Sequence, residues 1–210
     1  MRILSSVIAG QLTSFASGLN NFGSSLDIII TFIDESEDLS LRCLTPWKDF
    51  SEITYIQPFH SRQYCIFLAY LSRLLFLKGH FFESDLVSYL NKSINGCEIF
   101  GHVCLPGKWL IGHTVGIVIG RAMLGEDLVI HHNATIGMWN DAHPLIGSQV
   151  VLMNGSLIAG TSVIGDNVIV APGVRIVDQI VPPNVIVYQG IGKEIVFKEN
   201  NKNFISNSLV

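Results

Sequence analysis

Aliphatic residues stand at Leu124, Ile130 and Ile136, and again at Ile146, Leu152, Ile158, Ile164, Val170 and Ile176. The interval is six throughout, except for a step of ten between Ile136 and Ile146. A small residue follows at Gly137, Gly147, Ala159, Gly165 and Ala171. A period of six fits neither the 3.6 of an amphipathic helix nor the two-residue alternation of a plain strand. It predicts a coil of three short strands and three tight turns, one aliphatic side chain pointing inward per hexad, which is a parallel β-helix. The step of ten admits four extra residues, and that insertion carries Asp141 and His143.

Upstream, Ile99, Leu105 and Ile111 keep the same step. The phase then slips: Ile111 to Ile119 is eight residues and Ile119 to Leu124 is five, and His113 sits in the slip. The repeat thus breaks twice, each time at a histidine, and failures of a regular pattern are where function is expected. After Ile176, Val181-Pro182-Pro183 cannot continue a strand ladder, and a last apolar run follows at Val185 to Val187.

The first 95 residues read as a mostly helical region. Helices are predicted over 4–19, 25–34 and 61–78, the last ended by Gly79, and from a cap at Ser84 or Asp85 to about Asn91. The acidic run Asp34 to Asp38 reads as a solvated turn and 46–60 as a loop. The region suits a helical cap and oligomerisation module; a substrate-binding role for part of it is the other reading. The expected division is 1–95 helical, 96–197 β-helix and 198–210 a polar, flexible tail.

Composition narrows the function. Hydrophobic residues are 49% and charged residues 14%, which suits an aliphatic solenoid with buried subunit contacts. Net charge is −4 with no basic run, so nothing points to nucleic acid or an anionic membrane. Cys43, Cys65, Cys97 and Cys104 lack CxxC spacing and read as free thiols. No secretory signal is evident, and the apolar stretch Tyr64 to Leu77 is too short to span a bilayer. A cytoplasmic protein with no transmembrane segment is expected.

The motifs Gly-His-Thr-Val-Gly-Ile-Val-Ile-Gly (112–120), Asp141-Ala142-His143-Pro144, Val181-Pro182-Pro183 and Gly190-Ile191-Gly192 carry a resemblance. The segment Asn91 to Ile195 resembles the serine acetyltransferase branch of the hexapeptide-repeat acyltransferases. The resemblance implies a left-handed β-helix with an N-terminal α-helical region; periodicity does not give the hand, and parallel crossovers are right-handed in roughly 98% of cases. It further implies homotrimers, in some members dimers of trimers, and transfer of acetyl from acetyl-CoA to a hydroxyl without a metal. The family places an Asp fifteen residues before the catalytic His. Here that position is Glu98, in which the chain is similar to colanic-acid and capsule-type sugar O-acetyltransferases.

The chemistry agrees with these residues. A hydroxyl attacking a thioester needs a base near neutral pH, and histidine titrates there. His113 is the candidate base, Glu98 the carboxylate that fixes its tautomer, and His143 a holder of the acceptor or the tetrahedral oxyanion. The resemblance points acetyl-CoA to Ala159, Gly160 and Ala171, with Lys193 and Lys198 near its phosphates. His131 and His132 read as surface or trimer-contact positions, and His60 and His102 carry no usable signal. A three-histidine zinc site known on this fold needs a close His-x4-His pair, which does not occur between His102 and His143.

Two departures bear on the acceptor. Serine acetyltransferases carry Asp directly before the first His and Arg directly before the second, whereas Gly112 and Ala142 stand here. Unpaired charges of an amino acid in a closed site would cost several kcal/mol. The expected acceptor is therefore a saccharide of a surface polysaccharide or its precursor, with Asp141 and Trp139 as substrate-binding candidates; Trp139 suits stacking on a sugar ring, and a packing role is its other and favoured reading. L-Serine is the alternative acceptor, and a non-enzymatic scaffold is the reading from another class.

Overall fold

The structure is a computed structural model that describes residues 3–192, 194–201, 205, 208 and 209. Among the described residues five α-helices come first: α1 (Ile3–Ala16), α2 (Phe22–Thr31), α3 (Ile33–Leu44), α4 (Ser61–Leu77) and α5 (Phe81–Asn95), with a 3-10 turn at Lys48–Phe50 between α3 and α4. Strands follow in chain order: β1 (Glu98–Ile99), β2 (Trp109–Ile111), β3 (Val118–Ile119), β4 (Met123–Leu124), β5 (Leu128–Ile130), β6 (Thr135–Gly137), β7 (Leu145–Ile146) and β8 (Val151–Leu152). The coil continues with β9 (Leu157–Ala159), β10 (Val163–Ile164), β11 (Ile169–Val170), β12 (Arg175–Val177), β13 (Ile180–Val181) and β14 (Val185–Gln189), and β15 (Ile195–Glu199) closes it.

The strands make three faces of a parallel solenoid of about five turns. The first face is β1-β3-β6-β9-β12 and the second β4-β7-β10-β13. The third is β2-β5-β8-β11-β14, to which β15 adds antiparallel. The hexad ladder visits the faces in rotation. Ile99, Ile119, Ile136, Ile158 and Ile176 pair in one buried column. Ile111, Ile130, Leu152, Val170 and Val187 pair in another. Each coil packs only on its neighbours, so truncating one rung, as in Ile158→Ala, would cost about 2–5 kcal/mol.

Three of the small residues, Gly125, Gly147 and Gly165, have a steric cause. A Cβ on Gly147 would come within 2.8 Å of the Gly165 carbonyl carbon, because successive coils nearly touch at that corner. Two residues on, Asp127, Gln149 and Asn167 take left-handed backbone with φ of 60, 60 and 55. Side chains such as Asn and Asp tolerate that region best.

The helices pack on one end and one side of the solenoid through a continuous core. α4 is buried on nearly every side, from Gln63 to Leu75. Tyr70 Oη donates to the Pro106 carbonyl at 2.7 Å, and Cys43 Sγ donates to the Trp109 carbonyl at 3.2 Å.

Several expectations are corrected here. The acidic run at 34–38 is helical, not a turn: Asp34 and Glu35 occupy the first turn of α3, where negative charge meets the helix dipole favourably, while Ile33, Cys43 and Leu44 face the core. α5 begins at Phe81, ahead of the expected cap, and ends on Gly96 at φ +63. Val103 replaces Leu105 as the inward residue of the strandless passage between β1 and β2. The division expected at 198 falls inside β15; beyond it Asn200 and Ile205 are buried, and Leu209 bridges to Trp47. Among the described residues no helix is long and apolar enough to cross a membrane.

Candidate active site

His113 lies in the turn from β2 to β3, at the corner between the third and first faces. The slip in the hexad count lengthens this turn. Because Ile111 pairs with Ile130, the residues after each also stack: Gly112 over His131 and His113 over His132. The rings of His113 and His132 are 5.6 Å apart, edge to face. A Cβ on Gly112 would fall 2.6 Å from Nδ1 of His131, so the His131 ring fills the space that a side chain at 112 would need.

A cavity of about 380 Å³ opens at this corner. The outward residues Leu110 and Val129 of the third face line it with Gly112, His113 and His131. The helical region contributes Trp47, Lys48, Asp49 and Arg62, and the tail contributes Ser208. Arg62 donates from Nη2 and Nη1 to Oδ2 of Asp49 at 3.1 and 3.4 Å, and its guanidinium lies 4.5 Å from the centre of the Phe50 ring. Burial lowers the Arg62 pKa, and Asp49 opposes the shift. Burial also lowers the His131 pKa, aided by His113, His132 and Arg62, so His131 favours its neutral form.

Glu98 stands on β1, in the coil adjoining that of His113. Its Oε1 accepts from Lys92 Nζ at 2.8 Å, and it borders a separate cavity with Asp85, Tyr89 and Lys92. Among the described residues, Glu98 and His113 share no hydrogen bond or ion pair.

His143 is exposed on the inserted loop between β6 and β7, at the corner between the first and second faces. The insertion is a tight hairpin: Trp139 N donates to the Ala142 carbonyl at 2.9 Å and Ala142 N to the Trp139 carbonyl at 3.0 Å. Asn140 and Asp141 take φ of 48 and 59 at its tip, the mirror-image turn that suits two-residue hairpins. Trp139 and Asp141 are exposed there. Within one protomer the first face separates His143 from His113.

The acetyl-CoA candidates divide in the same way. Ala159 pairs with Gly137, so Ala159 and Gly160 lie at the corner of His143. Gly160 has φ +68, and its turn is capped by Asp178 Oδ1, which accepts from Thr161 N at 2.8 Å. Ala171 lies at the corner of His113, two coils beyond His131. Lys198 is exposed on β15, and Lys193 lies outside the described residues. Among the described residues no group of three His, Cys, Asp or Glu can hold a metal ion.

The sequence singled out neither Asp49 nor Arg62. No repeat or spacing connects them with His113; only the reading of a substrate-binding part in the helical region pointed their way.

Residues 143–178 match the bacterial transferase hexapeptide (six repeats) model. A serine acetyltransferase of Helicobacter pylori is 30% identical over 103 residues, which are 47% of this chain and 60% of that protein. The chain thus spans about three fifths of that relative's length. Among solved structures, serine acetyltransferase of Neisseria gonorrhoeae in complex with serine superposes with a TM-score of 0.67 at 22% identity, covering 93% of this chain and 84% of that one. Serine acetyltransferase of Brucella abortus in complex with coenzyme A gives 0.65 at 21%, covering 84% and 73%. At that identity the likeness is one of fold. The chain carries hexapeptide repeats of the transferase family and resembles its serine acetyltransferase-like branch. The saccharide acceptor, and polysaccharide modification with it, is overturned, because these relatives are serine acetyltransferases. Gly112 and Ala142 are two positions of the solenoid alone, whereas the cavity beside His113 also takes charged groups from the helical region.

Proposed function

We propose that this protein transfers acetyl from acetyl-CoA to the hydroxyl of serine. The observation that carries the reading is His113, exposed in a solenoid corner and opening on the 380 Å³ cavity, in a chain that resembles serine acetyltransferases. In the proposed reaction the imidazole of His113 takes the hydroxyl proton as the oxygen attacks the thioester carbonyl. The tetrahedral intermediate then expels the CoA thiolate, which receives that proton. A base so placed contributes about 10²–10⁴-fold. Glu98 serves as the carboxylate that orients His113 once its side chain leaves Lys92. Both it and Lys92 are partly solvated, so that exchange costs about 1 kcal/mol or less.

The reading includes a homotrimer. His113 and His143 occupy opposite edges of one face, as do Ala171 and the pair Ala159 and Gly160. A site that uses both edges forms between two protomers, and a heterologous contact of this kind closes into a ring. Acetyl-CoA would then lie along the groove between protomers, with Lys198 near its phosphates and Asp141 and Trp139 at its mouth.

Product analysis tests the reading. Purified protein incubated with acetyl-CoA and L-serine should yield serine heavier by one acetyl group, together with free CoA thiol. CoA release without acetylated serine would refute it.

A further inference from the structure

Serine carries an ammonium and a carboxylate, and a closed site must meet both. Neither position that resembles the family's charged neighbours does so here, since Gly112 and Ala142 have no polar side chain. Position 112 has no room for one while His131 stands beneath it. A cation for the carboxylate must therefore come from elsewhere.

We infer that Arg62 binds the carboxylate of the acceptor, in the cavity that it shares with His113, and so sets the specificity of the reaction. The inference rests on the serine reading above. Arg62 is the second residue of α4 and lies in the helical region, far from His113 in sequence. Folding brings both to one cavity wall. The guanidinium is fixed before any ligand arrives, by the Phe50 ring and by Asp49. Its side chain is only 23% exposed, so its charge is weakly screened, whereas that of Asp49 is 68% exposed. Asp49 engages it through one oxygen, leaving most of the five N–H donors of the fork unused. Its Nε–H makes no hydrogen bond among the described residues, nor does the indole N–H of Trp47 on the same cavity. A planar fork with spare donors matches a carboxylate in two-point geometry. Lys48 borders the cavity as well, but the residue is exposed and an ammonium lacks the planar fork of a guanidinium.

The test compares L-serine with 2-aminoethanol, which keeps the hydroxyl and ammonium and lacks the carboxylate. Arg62→Met should lower kcat/KM for serine about 10²-fold, mainly through KM, as expected when one partner of a charge pair is removed. It should lower kcat/KM for 2-aminoethanol only a few-fold, so residual turnover of that acceptor reports an intact fold. Arg62→Lys should recover part of the serine activity, and Lys48→Met should leave the ratio between the two acceptors near that of wild type. Equal losses for both acceptors in Arg62→Met, or no loss for serine, would overturn the assignment of Arg62 while the serine reading stands. A wild-type protein with no serine-dependent thiol release would overturn the serine reading, and this inference with it.

Discussion

Gly112 and His131 compete for one space: a Cβ on Gly112 would stand 2.6 Å from Nδ1 of His131 and 2.9 Å from its Cε1. The ring is half-buried beneath the turn that carries His113, and both residues border the cavity. Gly112→Ala should therefore cost about 1–3 kcal/mol of stability, as overpacking does. Adding His131→Ala should return most of that loss, a coupling that denaturant melts of the four-member cycle would measure. Additive effects would mean that the two residues do not share the space.

The lowered pKa of His131 has a pH signature. The unfolded value is 6.5 and the folded value lies below it. Between the two, the unfolded chain binds more protons, so stability rises with pH. The contribution is fully present above 6.5 and is lost as pH falls through the folded value. His102, lowered by burial and then by Arg121 and Arg73, acts with the same sign. Thermal melts between about pH 7 and about pH 5 should show a shallower acid-side fall for His131→Gln than for wild type. A steeper fall would contradict a neutral His131.

The four cysteines should separate by reactivity. Burial pushes the Cys43 thiol up to about 12, and a hydrogen bond to Cys65 together with burial raises that of Cys97. Cys43, Cys65 and Cys97 are buried and Cys104 is exposed. A thiol reagent at neutral pH should modify Cys104 alone in the native protein and all four after denaturation, since the thiolate is the reacting form. Fast native labelling of Cys43, read by peptide mass, would contradict the packing of α3 on β2.

The solenoid was legible because its period is set by inward side chains: every rung from Leu124 to Ile176 lies on the face that the hexad count assigns it. Both faults of that count became turns, one holding His113 and the other the hairpin before His143. Helix limits were less legible. Asp34 to Asp38 carries turn-like composition, yet it occupies a helix start where those charges are favoured. The bridge of Leu209 to Trp47 and the approach of Arg62 to His113 join residues distant in sequence, and no local pattern encodes such meetings.

Glu98 provides a separate test of the proposed dyad. Glu98→Gln should lower kcat by about tenfold or more, through loss of the carboxylate that steadies the imidazolium. Lys92→Met removes only an exposed partner, and melting should then change by about 1 kcal/mol or less. Stopped-flow turnover and thermal melts separate the two effects. Unchanged kcat in Glu98→Gln would remove Glu98 from the reaction.

The most direct measurement is the serine-dependent release of CoA thiol from acetyl-CoA by wild type and by His113→Ala, at matched folded protein judged by circular dichroism. The proposed chemistry predicts brisk release that requires L-serine, falling about 10²–10⁴-fold in His113→Ala. Release independent of serine, or equal in the two proteins, would contradict it.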